Sequence, residues 1–337
     1  MALFVWSLLL HCVASQAVSE DCQPGTYFSK ALVQLKANLQ RRQQVDIVHV
    51  LSMGREASCF VQDLVSGNGS HPSIFEPLGG VVEGEGVVTM SQSHADAALQ
   101  CLYDCHNCTE GVVNKDSYMN LQSFCEQRDN TNTQMPYLVV KTTRIVDHGA
   151  LVRAVPKDYL AKSRLIVLLR DPRGVWASTK PYSGWAIHSI PLICELLALQ
   201  ALTLPELAAA VGPQLLISIY EQWTLDTGRF SGQIAKLLGE NVKDFLLLGR
   251  EGQRAEDDLL PPSWVDNLTY EEKEQIENDG NCAAYMRRVG YVTNSSDTSQ
   301  IKGHEGLVQP LLPEEAEVLE RLRRRQTALQ TSVPQQH

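Results

Sequence analysis

The chain has no basic excess. Lysine and arginine number 29 against 39 acidic residues, a net charge of −10. A general nucleic-acid binder needs a positive surface, so that class is disfavoured. An anionic ligand would need a local basic pocket. The chain also has no G-x-x-x-x-G-K-[ST] loop and no G-x-G-x-x-G fingerprint, only Gly54 in the corresponding place. A P-loop kinase, which needs the Walker lysine and a magnesium carboxylate, is therefore not encoded. There is no internal repeat, and no heptad run long enough for a coiled coil. No constellation of metal ligands appears. Cys105-x-x-Cys108 comes nearest, but no Cys/His pair follows it at zinc-finger spacing.

Charge is also missing from the first nineteen residues, up to Glu20. The stretch from Ala2 to about Val18 is apolar and ends in small residues, with Ser15-Gln16-Ala17 as a cleavage site. It is short for a spanning helix, which needs roughly 20 residues. A signal peptide or a short signal anchor over 1–18 is expected, and either places the remainder in the secretory pathway. Two features agree with an oxidising, glycosylating compartment. Sequons occur at Asn68, Asn107, Asn267 and Asn294. The nine cysteines include a cluster at Cys101, Cys105, Cys108 and Cys125, which reads as disulfides, with zinc as the competing reading.

What is present is the pattern of a layered α/β domain. Residues 19–44 are polar with helical spacing and read as a stem. Strand patterns follow at 45–52, 137–145, 164–170 and 214–222. Helical patterns occupy 58–65, 95–126, 193–211 and 228–240, and residues 66–95 read as an irregular loop. Near-continuous apolar strands separated by helices argue for a parallel sheet covered on both faces. From 294 to 337 the chain is a polar tail with one charged helix, expected to be solvated.

Ligands of such sheets sit beyond the carboxyl ends of the strands. Two connections there stand out. The first, Ser52-Met53-Gly54-Arg55-Glu56-Ala57-Ser58, joins a strand to a helix and can offer backbone N–H groups and a helix dipole to an anion. Taken alone it equally fits a plain βα turn. The second is Arg170-Asp171-Pro172-Arg173. Asp171 can cap the coming helix and Pro172 suits its first position. Two arginines at a helix N-terminus are electrostatically reversed and need an anionic partner, either an internal carboxylate or a bound phosphate. Ser178 lies about two turns further on.

The stretch 164–180, RLIVLLRDPRGVWASTK, resembles the 3′-phosphate-binding motif of sulfotransferases. It is most similar to that of the Golgi carbohydrate sulfotransferases acting on N-acetylglucosamine or galactose. The resemblance implies a P-loop-NTPase-like central parallel sheet flanked by helices on both faces, over residues 45–293. It implies 3′-phosphoadenosine-5′-phosphosulfate as co-substrate, no metal, and a glycan acceptor on a glycoprotein or glycosaminoglycan. Arg170 and Ser178 match the 3′-phosphate contacts, with Arg173 beside them. Arg55-Glu56-Ala57-Ser58-Cys59-Phe60 matches the family's R-[TS]-G-S-S-F loop, so Arg55 would face the phosphosulfate while Ala57, Ser58, Cys59 and Phe60 cradle the 5′-phosphate. Phe75-Glu76-Pro77-Leu78, Lys141 with Arg144, Tyr220-Glu221, and Trp264, Cys282 and Gly290-Tyr291 follow in the family's order. The family cysteine at Cys194 implies a pair with Cys282.

The activity so implied is transfer of a sulfuryl group to a sugar hydroxyl, a 6-OH by the family's habit. The setting is the Golgi lumen, or the Golgi membrane if the leader is retained, with secretion as the alternative. Arg55 would neutralise the leaving phosphate. Glu76 is the candidate general base, with His148 in reserve. The loop departs from the family at Glu56, Ala57 and Cys59, and Ile219 replaces an arginine. A catalytically inactive sulfotransferase-fold secreted binding protein is the alternative those departures support.

Overall fold

The computed structural model describes residues 47–53, 56, 58–67, 71–75, 100–105, 119, 121–126, 137–143, 146–181, 189–240, 264–294 and 301–332. All of them lie in one unit, Val45–His337. The leader, the stem, Cys108 and the sequons at Asn68 and Asn107 fall outside these residues.

Five strands form one sheet in the order β2-β3-β1-β4-β5, every pair parallel. They are β1 (Ile47–Leu51), β2 (Ser73–Phe75), β3 (Leu138–Thr142), β4 (Ser163–Leu169) and β5 (Leu215–Ile219). The helices are α1 (Ser58–Ser66), α2 (His148–Ala154), α3 (Lys157–Ala161), α4 (Pro172–Thr179), α5 (Ile190–Leu202), α6 (Leu204–Val211), α7 (Tyr220–Leu225), α8 (Thr227–Leu238), α9 (Trp264–Asn267), α10 (Tyr270–Asn278), α11 (Gly280–Val289), α12 (His304–Leu307) and α13 (Pro313–Ser332). Two further helical stretches lie at 100–104 and 121–126.

The period-2 geometry of a strand sorts the core into two layers. Ile47 and Leu51 of β1, Leu165, Val167 and Leu169 of β4, and Leu215, Ile217 and Ile219 of β5 share one cluster with α5, α6 and α11. Val48 and Val50, Ile166 and Leu168, and Val139 point the other way. They pack on Val61, Leu64 and Val65 of α1 and Phe230, Ile234 and Leu238 of α8. The central parallel sheet is thus covered by helices on both faces, as the sequence pattern requires.

The fold adds three things to the expectation. β2 sits inside the stretch read as loop; at three residues, between Pro72 and Pro77, it is too short to show a period. The helical run 193–211 is two helices that meet at Thr203, with Pro205 in the first turn of the second. The strand read over 214–222 stops at Ile219, and Tyr220 begins α7.

The charged tail helix is not solvated all round. Leu319 and Leu322 of α13 are buried in the main cluster. Arg323 reaches Asp147 and Glu206, and Arg325 reaches Glu195. Arg288 of α11 pairs with Glu315 where both are almost fully buried. The 3.6-residue stripe that carries Leu319 and Leu322 is thin, and the RLRRR run hides it in the sequence; two of its arginines bind carboxylates of the body. Leu322→Ala is expected to cost about 2–5 kcal/mol in chemical denaturation, as for a core leucine. No loss would mean that α13 does not dock.

The cysteines behave as disulfides. Cys105 pairs with Cys125 and Cys194 with Cys282, and Cys101 is also disulfide-bonded. The zinc reading of Cys105 is thereby excluded. Cys59 is a free, exposed thiol.

Candidate functional site

The sheet order creates a switch point between β1 and β4. From β1 the chain passes to the β2–β3 side; from β4 it passes to β5. The connections after these two adjacent strands therefore diverge and leave a crevice at the carboxyl edge. The described residues of both stretches singled out in the sequence follow these strands at that edge: Ser52, Met53, Glu56 and Ser58 after β1, and Arg170 to Arg173 after β4.

Asp171 is the N-cap of α4. Its carboxylate accepts from the Arg173 backbone N–H at 2.9 Å, and Pro172 takes the first helical turn. The Arg173 side chain then folds back. Its guanidinium donates Nε and an Nη to Asp171 and the other Nη to Glu277 of α10 at 2.8 Å, and it lies over the Trp264 ring at 4.1 Å. It is only 1% exposed. Burial opposes its charge, but the two carboxylates outweigh that and raise its pKa. Arg173 is therefore held as a structural cation by carboxylates of the protein itself. The internal carboxylate is the partner that its place at a helix N-terminus demanded. Arg173→Ala would leave Asp171 and Glu277 buried and unpaired. A loss of about 3–5 kcal/mol is expected in urea unfolding; a loss below 1 kcal/mol would show that solvent screens the pair.

Arg170 is placed differently. It is partly exposed. Its guanidinium lies over the Tyr220 ring, 4.2 Å from the centroid, a cation–π contact. On the other side it rests against α4 at Gly174, where an added Cβ would stand 3.0 Å from Arg170 Nε. Gly174 is needed for this close approach. Ser178 is four residues further along the helix, so it lies on the same stripe of α4 as Gly174, one turn on. Arg170 and Ser178 thus share a helix flank.

The backbone at the end of β4 is held by side chains from distant elements. Gln200 of α5 donates to Leu168 O at 2.8 Å. The Tyr285 hydroxyl of α11 contacts both Arg170 N and Arg170 O, accepting from the first at 3.2 Å and donating to the second at 2.9 Å. Glu221 of α7 accepts from Asp171 N at 3.0 Å and from the Tyr291 hydroxyl at 2.6 Å. Burial raises the Glu221 carboxyl to about 7, helped by the negative charge of Asp171. Glu221 and Tyr291, singled out in sequence as separate dipeptides, are in contact. Tyr285 and Gln200 were missed. A lone glutamine inside the apolar run of α5 was the available signal, because a buried amide needs partners.

In the first connection, Ser58 opens α1 and is buried, and Cys59 and Phe60 follow in its first turn. Lys141 of β3 donates to Cys59 Sγ at 3.0 Å. Phe60 stacks on Trp223, 5.0 Å between centroids. Glu56 turns inward and is wholly buried. Its Oε2 accepts from Met53 N at 2.7 Å and from Gln200 Nε2 at 3.2 Å. Burial raises its carboxyl to about 8 against the opposing effect of these hydrogen bonds and of Arg170. Arg55, Ala57, Glu76 and Arg144 lie outside the described residues. His148 is wholly buried, and burial holds its ring neutral down to about 4. That burial gives no support to its reserve role as a general base. Ile219 packs in the core at the end of β5.

No family model and no curated protein matches the chain. Among solved structures it is similar to the sulfotransferase domain of the Synechococcus PCC 7002 olefin synthase, at 16% identity with a TM-score of 0.40, over 83% of this chain and 96% of that one. It is also similar to the sulfotransferase domain of the curacin biosynthetic pathway, at 13% and 0.38 over 83% and 98%. A third is retinol dehydratase in complex with androsterone and the inactive cofactor PAP, at 13% and 0.33 over 83% and 80%. Similarity at this level does not bear on activity, and the fold rests on its own sheet order.

Proposed function

We propose that the chain is a sulfotransferase of the secretory pathway that moves a sulfuryl group from 3′-phosphoadenosine-5′-phosphosulfate to a hydroxyl of a glycan, the 6-OH of N-acetylglucosamine or galactose. One observation carries the reading. At the switch point of a parallel sheet, the Arg170 side chain lies against α4 at Gly174, with Ser178 one turn on along the same stripe. A partly exposed arginine and a serine on one helix flank at this edge support a 3′-phosphate grip.

The chemistry follows from charge. Sulfuryl transfer resembles phosphoryl transfer, with in-line attack and negative charge growing on the leaving phosphate. Arg55 and the first-turn amides of α1 would stabilise that charge, with Ser58 and Cys59 lining the cradle. Glu76, the residue after β2, would accept the hydroxyl proton. No metal enters this scheme. The acceptor is a glycoprotein or glycosaminoglycan, and contact with a membrane is confined to residues 1–18 if they are retained. A second reading, a secreted binding protein of the same fold without catalysis, is favoured by Glu56, Ala57 and Cys59.

Isothermal titration of residues 19–337 with 3′-phosphoadenosine-5′-phosphate is expected to show binding that Arg170→Ala abolishes. Transfer of labelled sulfate to glycan acceptors then separates an enzyme from a donor-binding relative, and no binding in the unmodified chain would sink the donor reading. Gly174→Ala supplies a milder probe. The added Cβ pushes the Arg170 guanidinium off the helix, so a roughly tenfold weaker affinity is expected, about 1.4 kcal/mol. The fold should survive, since alanine is the better helix former.

A further inference from the structure

The chain carries four sequons, and none of them has a part in the proposed reaction. Asn68 and Asn107 lie outside the described residues. Asn267-Leu268-Thr269 spans the junction between α9 and α10. The fold uses most of this tripeptide. Asn267 O accepts from Lys180 Nζ at 3.3 Å. Leu268 is buried in a cluster with Trp264, Ile276 and the bonded Cys194 and Cys282, and its N–H donates to Trp264 O at 3.2 Å. Thr269 is the N-cap of α10. Its hydroxyl accepts from Glu272 N, and the Glu272 carboxylate accepts from Thr269 N, a closed capping box. The Asn267 side chain is the exception. It is exposed, and its amide makes no hydrogen bond among the described residues. Asn294 is placed differently. It has a left-handed φ of 54°, and its N–H donates to Glu277 Oε1, the oxygen that also holds Arg173, so its backbone belongs to that clamp.

We propose that Asn267 is a glycan-bearing residue, with an N-linked oligosaccharide on the exposed corner where α9 meets α10. This rests on the secretory reading above. The Cys105–Cys125 and Cys194–Cys282 bonds support that compartment independently, because disulfides persist where thiols are oxidised. The reaction is a group transfer from an oligosaccharide carried on a lipid diphosphate. A bond forms between Asn267 Nδ2 and the sugar C1, and the C1–O bond to the diphosphate breaks. The lipid diphosphate leaves with that electron pair, and the amide gives up one proton. The acceptor tripeptide needs its third-position hydroxyl. In the folded chain Thr269 Oγ1 is engaged in the cap of α10, so the transfer belongs to the nascent chain, before α10 forms. After folding, a bulky polar group must stay in water. Asn267 meets that demand: a sugar on its amide displaces no hydrogen bond of the described residues, while Leu268 and the cap hold the chain on either side.

Translation of the full chain in the presence of microsomes tests this, with protease protection reporting entry into the lumen. Peptide-N-glycosidase in heavy-oxygen water converts a glycan-bearing asparagine into a labelled aspartate, which peptide mass spectrometry locates. Label is expected at Asn267. On a denaturing gel, Asn267→Gln and Thr269→Asp should each run one glycan step ahead of the unmodified chain. Thr269→Asp removes the sequon but keeps an N-cap acceptor for α10, so its effect does not come from a broken helix start. Thr269→Ser keeps both the sequon and the cap, and should keep the glycan. A protease-protected chain with no label at Asn267 overturns the glycan site and leaves the secretory reading intact. A chain that the protease digests overturns the two together.

Discussion

A buried strand end has backbone groups that must find partners, and at the carboxyl edge of β4 those partners are side chains. Leu168 O takes Gln200, Arg170 N and O share the Tyr285 hydroxyl, and Asp171 N takes Glu221. An unsatisfied buried backbone group costs about 1–3 kcal/mol. The four residues after the run of apolar β4 positions can therefore adopt only the path that meets α5, α7 and α11 together. That path fixes where Arg170 leaves the sheet and where α4 begins. The Cys194–Cys282 bond ties α5 to α11, the two helices that supply Gln200 and Tyr285. A helix far from the crevice in sequence is thus part of the same clamp.

Charge is arranged around this clamp in two tiers. Arg173 is paired inside the protein with Asp171 and Glu277, and its aromatic cover is Trp264. Arg170 has an aromatic floor in Tyr220 and partial access to solvent. Two arginines three residues apart differ in burial because one of them folds back on the N-cap carboxylate. The cap stabilises α4, and the pair neutralises the buried Asp171 carboxylate. The neighbouring Glu56 and Glu221 are held near neutrality by burial, so the edge stays less negative than the count of acids suggests.

Much of this was legible in the sequence, and the reasons for the rest are physical. The strands showed because each is buried on both faces and reads as an apolar run; β2 did not, because three residues carry no period. The capping role of Asp171 and Pro172 was visible in local chemistry, and the helix start it implies is where the structure has it. The fate of Arg173 was not, since Glu277 lies 104 residues away and the choice between a carboxylate and a phosphate depends on that meeting. Tyr285 was silent for the same reason. α13 was misread because its charges looked like a solvated face, whereas Arg323 and Arg325 are consumed by Asp147, Glu206 and Glu195.

The altered residues of the first connection gain a meaning from their partners. Glu56 stands where the resembling family has a hydroxyl, yet it does not stand in the way of a phosphate at the surface, because it is turned into the protein against Gln200 and Met53 N. Cys59 replaces a serine, and its sulfur accepts a hydrogen bond from Lys141 of β3. Ile219 replaces an arginine and is absorbed by the core under β5. Each change is accommodated without disturbing Arg170, Gly174 or the α4 flank. Burying a carboxyl costs several kcal/mol unless it is hydrogen-bonded or neutral, and Glu56 meets both conditions. The connection after β1 is therefore built on its unusual acid: the same hydrogen bonds that make Glu56 tolerable join it to the strand end of β4, so the two connections that frame the crevice act as one unit.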